Sequence, residues 1–170
     1  MKKDDIYTKL VALDEEVFLK FDNDFKFTCI LVGSSVLMLE DLIPRGTLDI
    51  DVISASSEIA NIMRDYCLNK ASTAYLNSFP YNYSQRKEKI NIGTKSINFY
   101  KLSLEDIVVS EIDASRERDI LDIKNKLVLN MIDWNKLEIC YFEVIEFKMS
   151  DFRAREFKYL YDVYVKKYKR

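Results

Sequence analysis

The sequence predicts an α/β (α+β) fold: a small mixed sheet with flanking helices, followed by a helical C-terminal part. Three observations predict it. Between Cys29 and Ser54 an apolar run (Ile30, Leu31, Val32) enters Gly33-Ser34-Ser35, and an apolar helical segment follows. A turn through Pro44 and Gly46 then leads into the alternating run Leu48-Asp49-Ile50-Asp51-Val52-Ile53, so the unit reads strand, glycine turn, helix, loop, strand. Past Leu102 the apolar residues recur at spacings of three and four, the period of amphipathic helices. With 3 Gly and 2 Pro in 170 residues, a turn-rich β sandwich or barrel is excluded. The expected division is an α/β core over 1–102 and a helical part packed on it over 103–170.

The elements follow in order. Ile6, Leu10, Leu13, Val17 and Phe21 mark an amphipathic helix over 4–21, and Asp22-Asn23-Asp24 breaks its pattern. Lys26 to Val32 is apolar on both faces at its end, as an inner strand of a covered sheet would be. Ser34 to Leu42 is helical and is ended by Pro44-Arg45-Gly46; Leu48 to Ser54 is the second strand. Ser56 or Ser57 caps a helix with Ile59, Ile62, Met63 and Tyr66 inside. Residues 70–85 lack a clean period and read as a helix end and loop. Ile90–Ile92 and Ser96–Leu102 form a hairpin around Gly93-Thr94-Lys95. Ser103 with Asp106 has the form of a capping box and starts a helix to about Ile112. Ser115 caps the next, with Ile120, Ile123, Leu127 and Met131 inside. Asp133 caps a third, carrying Trp134, Leu137, Tyr141, Val144 and Ile145. Ser150 starts the last, where Phe157, Leu160, Tyr161, Tyr164 and Tyr168 form the stripe.

Composition narrows the chemistry. Acidic and basic side chains, 28 and 26, are interspersed and give a formal net charge of -2, so there is no global basic field for nucleic acid. Cys29, Cys67 and Cys140 are far apart and lack metal-ligand spacing; they read as reduced thiols of a cytoplasmic protein. No segment reaches the ~18 uncharged apolar residues of a membrane span, and no signal-peptide core opens the chain. Histidine is absent, which excludes Ser-His-Asp and Cys-His catalysis and His-ligated zinc. What remains is carboxylates, hydroxyls, Lys and Arg, with a hard cation.

The central stretch suits that chemistry. Strand residues two apart point to one face, about 7 Å apart. Asp49 and Asp51 are therefore expected to project together while Leu48, Ile50 and Val52 enter the core. Clustered carboxylates repel unless neutralised, and Mg²⁺ neutralises them and bridges nucleotide phosphates. Gly33 lets a phosphate approach the backbone, the helix N-terminus offers free N–H groups, and Ser34 and Ser35 add hydroxyls. Arg45 and Thr47 sit just before the aspartates, placed to contact phosphate or orient Asp49. Taken singly, Gly-Ser after a strand and D-x-D on a solvated sheet face are also ordinary structure; it is their combination that points to a site.

V-G-S followed, after an apolar helix, by R-x-T-x-D-x-D resembles the first two motifs of the minimal nucleotidyltransferases of the DNA polymerase β-like superfamily. The form here is Gly33-Ser34, Arg45, Thr47, Asp49 and Asp51. Leu104-Glu105-Asp106 through Glu111-Ile112, then Arg118-Asp119-Ile120-Leu121-Asp122-Ile123, is similar to the LEDhhxxK and RDhxDh pattern of a branch containing abortive-infection-type toxin nucleotidyltransferases. The resemblance covers roughly residues 27–126. It implies that Gly33 and Ser34 hold NTP phosphates, that Asp49 and Asp51 bind Mg²⁺, and that the Asp119/Asp122 helix faces the same cleft. The implied reaction moves a nucleotidyl group to an RNA or protein acceptor, with a cognate antitoxin as a partner. The chain departs from the branch in two places: Glu111 stands where Lys is usual, and Asn98 is the hairpin's offering where many members place a third carboxylate. Lys101, Lys124 or Lys126 are the candidate replacements for the missing cation. Those departures leave a second expectation open, a catalytically degenerate fold that binds a nucleotide or a partner. Asp119 and Asp122 also admit a plain reading as helix surface charge, Arg118 and Asp122 being an i,i+4 pair. Tyr75, Tyr81 and Tyr83 near Arg86 and Lys87 are candidates to flank an acceptor cleft, and the Tyr-rich last helix with Lys158, Lys166, Lys167, Lys169 and Arg170 is a candidate RNA contact; the plainer reading of that helix, a packed amphipathic helix with a solvated basic end, stands ahead of it.

Overall fold

The computed structural model describes residues 1–170 apart from 22–25, 71–75 and 170. The Asp22-Asn23-Asp24 break, Tyr75 and Arg170 lie outside the described residues. The chain divides into two compact units, Met1–Ala74 with Lys87–Leu102 and Tyr75–Arg86 with Ser103–Arg170. Among the described residues no helix is long and apolar enough to cross a membrane.

The first unit runs α1 (Lys3–Lys20), β1 (Phe27–Leu31), α2 (Ser34–Leu39), β2 (Ile50–Ala55), a 3-10 turn (Ser57–Ile59) into α3 (Ala60–Asp65), β3 (Leu68–Asn69), β4 (Glu88–Lys89) and β5 (Ile97–Lys101). The sheet is mixed, in the order β3-β2-β1-β5-β4. Central β1 runs parallel to β5 and antiparallel to β2, whose outer neighbour β3 is parallel to it. Cys29, Ile30 and Leu31 are all buried, which is why that run is apolar on both faces. Ile6, Leu10, Leu13 and Val17 bury the inner stripe of α1.

Three boundaries differ from the sequence expectation, each for a local reason. α2 stops at Leu39, not Leu42, because Asp41 turns left-handed (φ 57). Its N–H then bonds Met38 O at 3.0 Å and the Leu42 N–H bonds Leu37 O at 2.8 Å. That is a Schellman stop with Asp in the position glycine usually takes. The second strand opens at Ile50, not Leu48: Leu48 is 83% exposed and does not enter the core. The Thr47 hydroxyl donates to Asp49 O at 3.0 Å, closing a turn, and the ladder begins where Ile50 N–H meets Cys67 O at 2.9 Å. The hairpin ladder pairs Glu88 and Lys89 with Lys101 and Tyr100 and ends where the Ile90 N–H bonds Phe99 O at 2.9 Å, short of Ile92. A buried acid holds the far side of its loop. Asp14, on α1, accepts backbone N–H bonds from Lys95 at 2.6 Å, Ser96 at 2.8 Å and Ile97 at 2.6 Å.

The second unit holds α4 (Tyr83–Arg86), α5 (Leu104–Ala114), α6 (Glu117–Ile123), α7 (Lys126–Met131), α8 (Trp134–Glu146) and α9 (Asp151–Tyr168). Ser103 caps α5 by accepting the Asp106 N–H at 3.2 Å, and Asp133 caps α8 by accepting those of Asn135 and Lys136. The expected single helix after Ser115 is two. Ser115 is the left-handed C-cap of α5 (φ 52), and Asn125 caps α7 by accepting the Leu127 N–H. That break rotates the stripe, so Val128 is buried while Leu127 and Met131 face solvent. Ser150 stands at the N-cap of α9 without a side-chain cap bond, and Tyr164 on that helix donates its hydroxyl to Ile123 O at 2.6 Å.

Candidate functional site

The glycine turn and the D-x-D run meet across the sheet. Gly33 has φ 66 and ψ -154, backbone space that a side chain would make costly. Its carbonyl accepts the Val36 N–H at 3.1 Å and the Leu37 N–H at 3.4 Å. One residue earlier, Val32 N–H donates to Asp51 O at 2.9 Å, so the turn is tied by backbone to the second aspartate. Ser34 is half-buried at the start of α2. Ser35 is buried and donates its hydroxyl to Val32 O at 2.9 Å, so that proton already has an acceptor within the turn. With six residues, α2 supplies little macrodipole; what the turn offers an anion is its close-packed backbone and the Ser34 hydroxyl.

The segment before β2 is held from two sides. Thr47 exchanges backbone bonds with Met1, the terminal amine donating to Thr47 O at 2.6 Å and Thr47 N–H to Met1 O at 3.1 Å. Arg45 is half-buried and its guanidinium donates to Gly46 O at 3.1 Å. Asp49 and Asp51 are both half-buried, Asp49 just ahead of the strand and Asp51 within it.

One residue of this cluster carried no sequence signal. β3 is parallel to β2 and sets Asn69 opposite Asp51. The same Asn69 amide donates to Asp49 Oδ2 at 3.3 Å. The expected third-corner residue, Asn98, is elsewhere: β5 lies beyond β1, where Asn98 is opposite Thr28. Asn69 was hidden because it stands in a two-residue strand after a left-handed Cys67 (φ 63), too short for any period to show.

Of the expected residues, Gly33, Ser34, Ser35, Arg45, Thr47, Asp49 and Asp51 belong to the first unit, and Asp119, Asp122 and Glu111 to the second. Asp119 and Glu111 are both ion-paired to Arg116, Glu111 at 3.8 Å. Asp122 is buried on α6. The leucine-glutamate-aspartate start of α5 is structural: Glu105 accepts the Asp133 N–H at 2.9 Å, and Asp106 is bound by Arg86. Lys101, one proposed substitute for the missing cation, lies between Glu40 at 2.6 Å and Glu88 at 3.0 Å. Burial works against its charge, but those two carboxylates hold its pKa above the usual lysine value. Cys29 is the reverse case, an inert thiol pushed by burial up to about 12.

Chemically the first-unit cluster offers two carboxylates, an amide and a positive-φ glycine turn. Among the described residues no three acids gather around one point. Mg²⁺ does not require that: it commonly binds through one or two carboxylates and completes its shell with water and substrate phosphates. The donor set of Asp49 and Asp51 fits such an ion.

One family matches this chain, the nucleotidyltransferases of unknown function (DUF6036), over residues 8–169. No curated protein and no solved structure matches.

Proposed function

We propose that this chain, which belongs to the DUF6036 family of nucleotidyltransferases of unknown function, transfers a nucleotidyl group from an NTP to an acceptor hydroxyl at the Gly33/Asp51 cluster. The acceptor oxygen bonds the α-phosphorus as the bond to the β-phosphate breaks; pyrophosphate leaves and the hydroxyl proton passes to solvent. The observation that supports it is the Val32 N–H bond to the Asp51 backbone O at 2.9 Å, which joins the glycine turn to the D-x-D strand. Asp49 and Asp51 would hold Mg²⁺, which would supply electrostatic stabilisation of the charge that builds up during phosphoryl transfer. Gly33 and Ser34 cradle phosphate. Thr47 orients Asp49 through the turn it closes, and Arg45 stands ready for the triphosphate. Asn69 keeps the Asp49 carboxylate aimed by its amide hydrogen bond.

The family resemblance supports the finer reading: an RNA or protein acceptor, and a toxin-like cytoplasmic component of a defence or toxin–antitoxin pair with a cognate antitoxin. It also carries Asp119 and Asp122 as contributors. Specific observations favour a second reading, a degenerate fold that binds without transfer. Asn69 supplies an amide, not a third acid, beside Asp51; Glu111 replaces the branch's Lys; and Lys101 is paired with Glu40 and Glu88.

Calorimetric titration with each of the four NTPs, with and without Mg²⁺, tests the site. Labelled NTP incubated with RNA and with protein acceptors then tests transfer. Mg²⁺-dependent binding with label transferred supports the enzyme; binding without transfer to either class supports the degenerate fold as a nucleotide-binding module; no binding of any NTP rejects the enzyme and leaves a partner-binding fold. A sharper check uses Asn69→Asp, which restores a carboxylate to the register position beside Asp51. Direct Mn²⁺ titration should show tighter metal binding by roughly tenfold, from one added charged ligand. Unchanged metal affinity would mean that Asn69 is not at the metal.

A further inference from the structure

At the ends of β1 and β5 one row of residues crosses the whole sheet. Asn69 stands opposite Asp51, and the Val32 N–H bonds Asp51 O at 2.9 Å. On the other side of β1 the Leu102 N–H bonds Leu31 O at 3.2 Å. In β4 Glu88 is opposite Lys101 and Lys89 opposite Tyr100, so one step before that ladder Lys87 comes level with Leu102. The row therefore reads Asn69, Asp51, Val32, Leu102, Lys87, and all five belong to the first unit. From Asp51 to Lys87 it covers three strand spacings, roughly 14 Å between backbones. The Gly33-Ser34 turn leaves the sheet from Val32, between the two ends.

Lys87 shares a sheet face with Asp51. Leu31, Val52 and Lys101 are register partners, so Asp51 and Tyr100, each one residue away, both lie on the other face. The Lys87 ammonium sits over the Tyr100 ring, 4.7 Å from its centroid. Glu88 goes to the opposite face, where its carboxylate meets Lys101 at 3.0 Å and Glu40 meets the same lysine at 2.6 Å. Those acids are therefore turned away from Lys87. Among the described residues its ammonium meets the ring and no carboxylate. Lys87 is also half-buried, whereas Lys89, the other lysine of this strand face, is exposed. An ammonium half out of water, resting on an aromatic face without a counter-charge, is a group that an arriving anion stabilises.

We infer that Lys87 is the triphosphate-binding cation of this site: its ammonium leaves the Tyr100 ring and donates to a phosphate oxygen of an NTP seated on the Gly33-Ser34 turn, with the Asp49 and Asp51 carboxylates at the other end of the row. The inference deepens the nucleotidyl-transfer reading and rests on it.

Calorimetric titration in Mg²⁺ with each NTP, and separately with inorganic tripolyphosphate, tests it on Lys87→Met, Lys87→Arg and Lys89→Met of the full chain. Lys87→Met keeps an unbranched stem and removes the charge, and its melting temperature checks the fold. It should bind both probes about ten- to a hundredfold more weakly than wild type, the range for one hydrogen bond to a charged group. Tripolyphosphate has no base or ribose, so an equal loss on it puts the contact on phosphate. Lys87→Arg should recover most of the affinity, and Lys89→Met should change it less than threefold. The inference is overturned if Lys87→Met binds as wild type does while Asp49→Asn/Asp51→Asn has lost binding; the site then stands without Lys87. A loss confined to the NTP overturns it too, because the contact is then to base or ribose. So does an equal loss in Lys89→Met, which would make the effect one of general charge, or a failure of Lys87→Arg to recover. A wild-type chain that binds neither NTP nor tripolyphosphate rejects the nucleotidyl-transfer reading itself, and this inference with it.

Discussion

Asp49→Asn/Asp51→Asn is expected to lower Mg²⁺-dependent NTP binding at least 100-fold while leaving the unliganded protein as stable as wild type or slightly more so. The two changes keep side-chain shape and remove only charge. Both carboxylates are half-buried, and Asp51 is fixed by the ladder to Val32 while Asp49 is fixed by the Thr47 turn and Asn69. Without a cation the pair repels, and relief of such repulsion is the usual signature of a site built for a ligand at some expense of stability. A gain of about 0.5–1 kcal/mol would raise the melting temperature of a chain this size by roughly 1–4 °C. Thermal melting and NTP calorimetry on one protein preparation measure both quantities. If the double variant binds NTP as wild type does, the D-x-D pair is a solvated sheet face and the proposed site is wrong. If it fails to bind and is also several degrees less stable, the aspartates are structural and the loss of binding is indirect.

The parts of this molecule legible in the sequence are those written over several residues. Gly33 was legible because a positive-φ turn between an apolar run and a helix needs it, and β2 because Ile50 and Val52 alternate with a polar residue. Helix α5 was legible from its Ser103 cap, and α8 from Asp133. The missed features depend on long-range partners. Asp14 reads as one more charge on an amphipathic helix, yet it is a buried acceptor for three backbone N–H groups some eighty residues on. Nothing near Asp14 in sequence encodes that. Asn69 matters because parallel pairing puts it beside Asp51. Leu48 completes the apolar alternation, but a single hydroxyl, Thr47, bends the chain and leaves it exposed. Glu105 and Asp106 look like the head of a catalytic motif; one caps α8's entry and the other meets Arg86, and that is why the acids there are buried. Patterns report which face of an element is apolar; they do not report which distant polar group needs a partner.

Arg86→Ala is expected to be the most destabilising single change in the second unit, by about 3–5 kcal/mol, the range found when one member of a buried ion pair is removed. Its neighbours in sequence, Tyr81 and Tyr83, suggest a place beside an acceptor cleft; in the structure Arg86 is the centre of a buried network. Its guanidinium meets Asp106 Oδ1 at 2.6 Å and Glu143 Oε2 at 2.8 Å, with further bonds to both carboxylates. Asp106 is fully buried, and takes the Ser103 hydroxyl at 2.7 Å besides. Asn82 donates to Glu143 from its backbone at 3.1 Å and its side chain at 3.3 Å. Burial opposes the charge on Glu143, but the bonds from Arg86 and then Asn82 outweigh it and hold the carboxyl below the usual glutamate range. Removing the guanidinium leaves two buried carboxylates facing each other. Urea unfolding followed by circular dichroism should show the midpoint falling, and Asp106→Asn/Glu143→Gln in the Arg86→Ala background should recover part of it by removing the stranded charges. The sign with pH follows from the depressed carboxyl. Glu143's contribution is fully present above its ordinary value of 4.5 and is lost as pH falls through the lower folded value, so wild type should weaken there. Arg86→Ala should show the opposite trend, gaining relative stability as acid neutralises the stranded pair. A loss under 1 kcal/mol at neutral pH, or a pH profile parallel to that of wild type, would mean that water replaces the guanidinium and that packing, not this network, holds α4 to α5 and α8.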